Sequence, residues 1–293
     1  MGCGVKGVVS VAKTDQNRKK KKIRPGTVVR FVVCLLITFI MVVPFLWMVS
    51  ASFKNNVEIF QTPIRWIPEV FRLDNYIHVW TEINFPTYFL NTAKLAVIIT
   101  FLQLVTCSMA AFAFTKLQFP GRDKIFLFYL ATMMVPWHAI MVPQYIIVKG
   151  LGLYNTHTSL ILIQAFSAFG VFLLRQNMLS IPDSLHEAAK IDGCGAFRTY
   201  WNIILPLTKT GLATLTVLTF NAVWNDYMGP MLYLDSDSLR TIQVALASFK
   251  SQYSADYASI MAGTVCSLIP IVIVYACAQK YIVEGVAFAG VKG

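Results

Sequence analysis

One polar stretch, residues 182–207, contains the residues whose types and spacing indicate a function. It lies between two long apolar runs. Ser184 is followed three residues later by Glu187, which is the spacing of a helix-capping box, so a short helix is predicted over 185–192. Gly193 suits the end of that helix because glycine adopts the left-handed conformation without a Cβ clash. These residue types suit recognition of another molecule and not a reaction.

Two adjacent small residues, Ala188 and Ala189, lie on this helix and would let the backbone of another protein approach closely. Alanine is also a good helix former and Glu187 a good cap, so the spacing alone fits both a docking surface and an ordinary surface helix. A second short helix is predicted over 196–205, and Pro206 is expected to break it before the next apolar run.

No set of residues has the spacing of a catalytic or metal site. His186-Glu187 begins like the zinc motif H-E-x-x-H, but Lys190 occupies the position of the second histidine. The six cysteines are scattered without a C-x-x-C pair and resemble small buried hydrophobic residues. No G-x-x-x-x-G-K-[ST] loop occurs, so the sequence predicts no metal, no cofactor and no nucleotide site of the usual kind.

The composition indicates which elements must position this stretch. Of the 293 residues, 56% are hydrophobic and 13% are charged, whereas soluble domains are nearer a quarter charged. The chain is therefore predicted to be an all-α polytopic membrane protein. The net charge of +11 lies partly in the run Arg18–Lys22, directly before an apolar run, which favours membrane lipid over nucleic acid as its partner.

Six apolar runs are predicted to be transmembrane helices, at residues 28–50, 88–114, 125–148, 159–179, 211–228 and 260–281. Residues 1–26 would form a basic cytoplasmic tail, and residues 27–293 one six-helix domain that includes the loop 182–207. Pro136 and Pro143 are expected to break or kink the third span. The basic residues favour a cytoplasmic N-terminus, and six spans then place the loop and the C-terminus in the cytoplasm as well.

The spans carry a few polar candidates. Asn221 and Asn225 are four residues apart on the fifth span and share a helix face, with Trp224 beside them. An amide pair and an indole suit a polyol, which makes these three residues a candidate substrate pathway. They also suit an interhelical hydrogen-bond site, and both interpretations stay open. Gln103 and Thr106 of the second span are expected to satisfy helix–helix contacts.

The loop resembles the EAA loop of ABC-importer membrane subunits, and every motif position is filled: Glu187-Ala188-Ala189, Gly193, Ile203 and Leu205-Pro206. The end of the first span and Trp224-Asn225-Asp226 resemble sugar-type ABC permeases, and the segment 279–293 is similar to the C-terminus of the G-type subunit of maltose permeases. The resemblance implies the six-helix, MetI-like fold of type I importer permeases. It also implies roles for the loop residues: Glu187, Ala188, Ala189 and Gly193 would dock on an ATPase, and Asp192, Leu205 and Pro206 would support the loop.

The resemblance further implies partners and a source of energy. The expected partners are a second, F-type permease subunit, two copies of an ATP-binding subunit and an extracytoplasmic solute-binding protein. The chain itself would bind no cofactor, and the partner ATPase would use the ATP. The cargo would be a carbohydrate or a related polyol, carried across the cytoplasmic membrane of a prokaryote.

Two other classes of protein remain as alternatives. A self-sufficient secondary carrier usually places Asp or Glu near the bilayer midplane, and Asp226, close to the end of a span, is the one candidate. A membrane enzyme would need converging histidine, cysteine or carboxylate side chains, and neither His138 nor His157 has a partner at motif spacing.

Overall fold

The computed structural model describes residues 25–81, 84–249 and 256–290, with side chains between residues 26 and 281 outside the two gaps. Within these ranges every regular element is helical, which agrees with the predicted all-α fold class. The basic tail predicted for residues 1–26 falls almost entirely outside the described residues, and so do residues 291–293.

The described ranges contain these α-helices in chain order: α1 Pro25–Ala51, α2 Asn56–Ile59, α3 Asp74–Thr81, α4 Phe85–Lys116, α5 Arg122–Ala131, α6 Trp137–Gly150, α7 His157–Gln164, α8 Ala168–Leu179, α9 Asp183–Ile191, α10 Ala196–Thr199, α11 Leu205–Leu207, α12 Lys209–Trp224, α13 Met228–Tyr233, α14 Ile242–Ser248 and α15 Tyr257–Gly290. Short 3₁₀ turns occupy Thr132–Met134 and Asp237–Leu239, and Tyr200–Ile204 forms a π-turn between α10 and α11.

The chain divides into two compact units, Met1–Leu46 and Trp47–Gly293. In the described part of the first unit, the helix is apolar around most of its circumference and its side chains are largely exposed. Such a surface is costly in water and favourable in lipid, so the composition of this helix is that of a membrane span.

Among the described residues, three helices are long and apolar enough to cross a membrane: Gly26–Ala51, Phe85–Lys116 and Tyr257–Tyr281. Three bent pairs of helices also qualify when each pair is taken together: Arg122–Met134 with Trp137–Gly150, His157–Gln164 with Ala168–Leu179, and Ala196–Leu207 with Lys209–Trp224. By length and composition, these give up to six spans, the number that the sequence predicts. The last pair begins inside the polar loop 182–207.

The third span breaks at Pro136, as predicted. The first part ends at Met134 and α6 begins at Trp137, and the two helices are bent by 98°. Pro136 stands directly before the first turn of α6, where a missing backbone N–H removes no helical hydrogen bond. Pro143 does not break the span, because it lies inside α6 and the helix continues to Gly150.

The fourth span breaks between α7 and α8, bent by 40°, without a proline or glycine at the break. Carbonyl groups freed by a break must find other donors in lipid, where water cannot supply them. Three side chains of α4 donate to them: Gln103 to Gln164 at 2.7 Å, Thr106 to Ala165 at 2.8 Å and Cys107 to Ser167 at 3.5 Å. The helix–helix role predicted for Gln103 and Thr106 is confirmed.

Helix α4 is the element around which the second unit packs. It contacts both α8 and α12, and α12 also contacts α15. Small residues allow these close approaches: a Cβ on Gly170 of α8 would lie 2.8 Å from the sulfur of Cys107 on α4. Close packing of this kind drives helix association in lipid, where apolar burial alone gives little preference.

Candidate functional site

The first helix of the loop, α9, begins two residues earlier than predicted. It starts at Asp183, with Pro182 before it, and no side chain caps its first turn. The predicted capping box of Ser184 and Glu187 is therefore wrong, and Ser184 lies inside the helix. The carboxylate of Asp183 stands in the first turn instead, where a negative charge is favourable to the helix dipole.

The end of α9 follows the prediction. Gly193 has a φ of +77°, in the left-handed region that favours glycine. The N–H of Gly193 donates to the Lys190 carbonyl at 3.1 Å, and the N–H of Cys194 donates to the Ala189 carbonyl at 2.9 Å. This pair of bonds is a Schellman motif, which satisfies the last carbonyl groups of the helix.

The second helix of the loop is longer than predicted. It passes through Pro206 to Leu207 and meets α12 after a bend of 77° at Thr208. The predicted break at Pro206 is therefore wrong by two residues, because the chain bends at Thr208. A π-turn precedes the proline, with the N–H of Leu205 bonded to the carbonyl of Tyr200, and Pro206 sits in the first turn of α11. A proline there displaces no donor that the helix needs.

The loop exposes one face of α9 and buries the other. Glu187, Ala188, Asp192 and Gly193 are exposed, whereas Ala189 is 4% exposed and faces the interior. The expectation that Ala188 and Ala189 both offer room to another backbone therefore holds for Ala188 alone. Half-buried Leu205 packs against the buried cluster that includes Phe112 and Tyr200, and Pro206 is exposed beside it.

Sequence reasoning missed the apolar part of this surface. Ile191 is 86% exposed at the end of α9, and the rings of Phe197 and Trp201 lie exposed and stacked, 6.4 Å apart. Their signal was the four-residue spacing of Glu187 with Ile191 and of Phe197 with Trp201, which places each pair on one helix face. Large apolar side chains exposed beside charged ones mark a surface that another molecule covers.

Helix α4 holds the loop at its beginning. The ammonium of Lys116 donates to the Ile181 carbonyl at 2.7 Å and to Asp183 Oδ1 at 2.6 Å. This hydrogen bond, together with the positive charge of Lys116, lowers the pKa of the Asp183 carboxyl. The carboxylate therefore stays charged to lower pH than an isolated aspartate would.

The three polar candidates of the fifth span do not share one environment. Trp224 is 1% exposed, and its indole N–H donates to the Ser267 carbonyl at 3.0 Å. The interhelical interpretation of Trp224 thus describes this structure, and a solute has no exposed indole to stack on. Asn221 and Asn225 do share a face: both are exposed, and Asn225 Nδ2 lies 3.0 Å from Asn221 Oδ1.

Asn225 lies at the rim of a cavity of about 450 Å³ between α12, α14 and α15. Its amide oxygen accepts from Gln243 Nε2 at 3.3 Å. The polar side chains of the lining are Asn225, Tyr227, Gln243, Thr264 and Ser267. Amides and hydroxyl groups of this kind can donate to and accept from the hydroxyl groups of a solute.

A second cavity, of about 370 Å³, lies where two spans are interrupted and a third ends. The breaks before α6 and between α7 and α8 and the segment after α12 all contribute to its lining, which includes Gln103, Trp137, His138, Gln164, Asp226 and Tyr233. Gln164 Nε2 donates to Asp226 Oδ2 at 3.0 Å. Irregular backbone at membrane depth is tolerated where it is buried in protein or lines a water-filled cavity, and the lining here is polar on several sides.

Comparisons with known proteins agree with these features. Residues 103–287 match the family described as "Binding-protein-dependent transport system inner membrane component". The arabinooligosaccharides transport system permease protein of Halalkalibacterium halodurans is 34% identical over 260 residues, which cover 88% of this chain and 93% of that protein. The sn-glycerol-3-phosphate transport system permease protein of Yersinia pestis is also 34% identical, over 86% of this chain and 91% of that protein.

A solved structure shares the fold. It is that of a bacterial ABC transporter involved in the import of the acidic polysaccharide alginate, and one of its chains superposes with a TM-score of 0.76. The two chains are 25% identical, and the match covers 89% of this chain and 99% of the other. The predicted fold of an importer permease is confirmed.

Proposed function

The chain belongs to the family of binding-protein-dependent transport system inner membrane components and is a permease subunit of an ABC importer, and we propose that its cargo is a carbohydrate. Members of this family are multi-pass membrane proteins, and the apolar helices of this chain agree. Because ABC importers take their energy from ATP, this family replaces the self-sufficient secondary carrier as the explanation of the sequence.

A neutral, hydroxyl-rich solute suits the two cavities. Both linings combine amides, hydroxyl groups and aromatic rings, which are suited to bind sugar hydroxyl groups by hydrogen bonds and sugar faces by contact. The relatives named above are described as carrying arabinooligosaccharides and sn-glycerol 3-phosphate. Among the described residues that line either cavity, none is lysine or arginine, the usual partners of a phosphate, and this favours carbohydrate as the cargo.

The exposed face of α9 is proposed as the docking surface for the ATP-binding subunit. The observation that carries this proposal is the exposure of Glu187, Ala188 and Ile191 together on a helix whose other face is buried. Ala188 leaves room for close approach, Ile191 offers apolar surface and Glu187 offers a charge that can pair. Gly193 supports the site because glycine adopts the φ of +77° in the turn after the helix without a Cβ clash.

The orientation and the remaining partners are part of the same proposal. Basic residues gather at the same end as α9, including Lys116, Arg122 and Arg175, and basic ends of spans favour the cytoplasm. Both termini would then be cytoplasmic. The partners we propose are a second permease subunit, two copies of the ATP-binding subunit, which would use the ATP, and an extracytoplasmic solute-binding protein. This chain would supply one wall of the pathway and no ATPase site, nucleotide site or metal site of its own.

Transport would follow from movement of the docked loop. Closure of the ATP-binding subunits would pull α9 inward, and the neighbouring helices would tilt as rigid bodies to open the cavities to one side or the other. Asn221 and Asn225, which are exposed on one face, would line the pathway. Trp224 would hold α12 against α15 and would not contact the solute.

The docking surface is tested by co-purification of the importer in detergent. We expect Glu187→Lys to lower the amount of ATP-binding subunit recovered by about tenfold or more, since a like charge placed at an interface costs several kcal/mol and each 1.4 kcal/mol is tenfold. Gly193→Val should have a similar effect, because a β-branched residue resists the φ of +77°.

Ser184→Ala is the matched control, since Ser184 is exposed on the same helix. It should recover the ATP-binding subunit at the wild-type level. Normal recovery with both Glu187→Lys and Gly193→Val would show that this face of α9 does not dock.

The cargo is tested by uptake in cells that express the complete importer. We expect loss of this chain to abolish the uptake of a radiolabelled neutral oligosaccharide and to leave the uptake of sn-glycerol 3-phosphate unchanged. The reverse result would replace carbohydrate by a polyol phosphate as the cargo, although the chain would remain an importer permease.

A further inference from the structure

Helix α4 carries a lysine whose position the membrane boundary does not explain. Lys116 is the last residue of α4, and 2% of its side-chain surface is exposed. Lys94, toward the other end of the same helix, is exposed, as expected of a lysine that extends toward the membrane surface. A buried ammonium is costly unless it is paired and hydrogen-bonded, so Lys116 must be held by specific partners.

These partners stand on both sides of one turn. The ammonium of Lys116 donates to the Ile181 carbonyl at 2.7 Å and to Asp183 Oδ1 at 2.6 Å. Ile181 follows the end of α8 and Asp183 begins α9, with Pro182 between them. A compact ammonium with three donors can make both bonds at once, and it thereby fixes the turn through which α8 leads into α9.

Two further residues on the same stripe of α4 make contacts with the loop. Ser108, Phe112 and Lys116 are spaced by four residues and therefore share one face of the helix. The hydroxyl of Ser108 lies 2.8 Å from that of Tyr200, and the Phe112 ring lies 5.4 Å from the Tyr200 ring. The Phe112 ring also lies 6.1 Å from the ring of His186, which belongs to α9 itself. The stripe thus holds α9 and the π-turn after it.

Chain connectivity alone would leave the loop free to swing. The loop joins α8 through a short non-helical turn at Pro182 and joins α12 at the bend of 77° near Thr208, so neither end is a continuous helix. A pull on α9 could be absorbed at these two places without moving the spans. The stripe removes this freedom at the first of them, because it fastens the loop to a third helix that is not its neighbour in the chain.

We propose that Lys116 is a positioning residue for energy coupling: it fastens the docking helix α9 to the second span, so that α9 and α4 move together when ATP binds. This inference rests on the proposed function, in which α9 docks on the ATP-binding subunit. It adds α4 to the helices that the loop moves. Lys116 touches neither solute nor nucleotide and acts through the position of Asp183 and the Ile181 carbonyl.

The test follows one distance through the transport cycle. Spin labels on cysteines that replace Gln118, just after α4, and Lys190, on the side of α9 away from Ala188, report the separation of the two elements in the assembled importer, in a cysteine-free background. Both residues are exposed. We expect a narrow distance distribution that ATP does not change. With Lys116→Met the distribution should broaden or shift when ATP is added, and Lys116→Arg should restore most of the narrow distribution.

Transport supplies the second measurement. We expect Lys116→Met to lower solute uptake per ATP hydrolysed by about fivefold or more, the lower end of the usual range of coupling between two sites. Lys116→Arg should recover most of this ratio. Lys124→Met is the matched control: Lys124 is an exposed basic residue at the same end, and its loss should leave the ratio and the distance unchanged.

An unchanged distance distribution and an unchanged ratio of uptake to ATP hydrolysis in Lys116→Met would overturn the proposal. A loss of both that Lys116→Arg failed to relieve would also overturn it, because the effect would then be one of general misfolding. Failure of the proposed function would look different. The ATP-binding subunit would be recovered normally with Glu187→Lys, whereas the spin-label distance without nucleotide would still show whether Lys116 fastens α9 to α4.

Discussion

Two polar networks on α4 differ in the charge that they carry. At the C-terminal end of the helix, Lys116 places an ammonium between a carboxylate and a carbonyl group. Near the middle of the helix, Gln103 uses an amide: its Nε2 donates to the Gln164 carbonyl at 2.7 Å and its Oε1 accepts from Thr219 at 2.9 Å. Both networks join α4 to helices far away in sequence.

The difference follows from the surroundings. The C-terminal end of α4 tolerates a full charge because the carboxylate of Asp183 neutralises the ammonium of Lys116. The Asp183 side chain is itself largely exposed to solvent. Within the bilayer a charge costs several kcal/mol, whereas neutral side chains can exchange hydrogen bonds across helices at little cost. The positions lie thirteen residues apart, or about 20 Å at 1.5 Å per residue. One rigid helix therefore connects the loop to the cavity that Gln103 lines.

The largest effect is expected when a charge is placed where the structure uses an amide. Gln103→Glu keeps the shape of the side chain, but it replaces the donor that faces the Gln164 carbonyl by an oxygen. We expect a loss of about 2.5–3.5 kcal/mol in stability, the cost of a charged residue at the centre of a span. The measurement is thermal unfolding of the purified protein in detergent at alkaline pH, which favours the charged carboxylate even where the side chain is buried.

Gln103→Leu separates the charge from the lost hydrogen bonds. Hydrogen bonds between helices in membranes contribute about 0.6 kcal/mol on average and at most about 1.7, so this variant should lose less than the glutamate variant does. Equal losses of stability in the two variants would mean that the charge itself adds no cost at position 103. The contrast between the two networks would then need another explanation.

The same contrast separates what could be predicted from what could not. Local signals worked: Gly193 ends α9 and Pro136 breaks the third span because each acts through its own backbone. Long apolar runs also identified the spans. The break between α7 and α8 has no such signal. It is stabilised by donors from α4 that lie 59 to 61 residues away along the chain.

The loop and the fifth span also have features that depend on contacts far away in the sequence. The predicted cap at Ser184 failed because Lys116, 67 residues away, holds Asp183 and so sets the start of the helix. Ala188 and Ala189 look alike in the sequence, but the fold buries Ala189 and leaves Ala188 exposed. The indole of Trp224 is likewise buried and bonded to the Ser267 carbonyl, a contact between α12 and α15 that no local pattern records.

The smallest expected effect concerns the pH dependence of the stability that the Lys116–Asp183 pair contributes. The hydrogen bond from Lys116, and then its charge, lowers the pKa of Asp183 below the ordinary value of 3.8. A carboxyl group whose pKa is lower in the folded chain stabilises the fold above the pKa of the unfolded chain, and this contribution disappears as the pH falls through the folded value. The relevant window therefore begins near the ordinary value of 3.8 and extends below it.

Because most of the Asp183 side chain is exposed, solvent screens the interaction, and we expect it to contribute about 0.2–1 kcal/mol. Asp183→Asn removes the titrating group and keeps the size of the side chain. Thermal unfolding in detergent, measured from neutral pH down through this window, should show a steeper fall in stability for the wild-type protein than for Asp183→Asn. Parallel curves would mean that Lys116 is held by the Ile181 carbonyl alone, and the carboxylate would have no part in fastening α9 to α4.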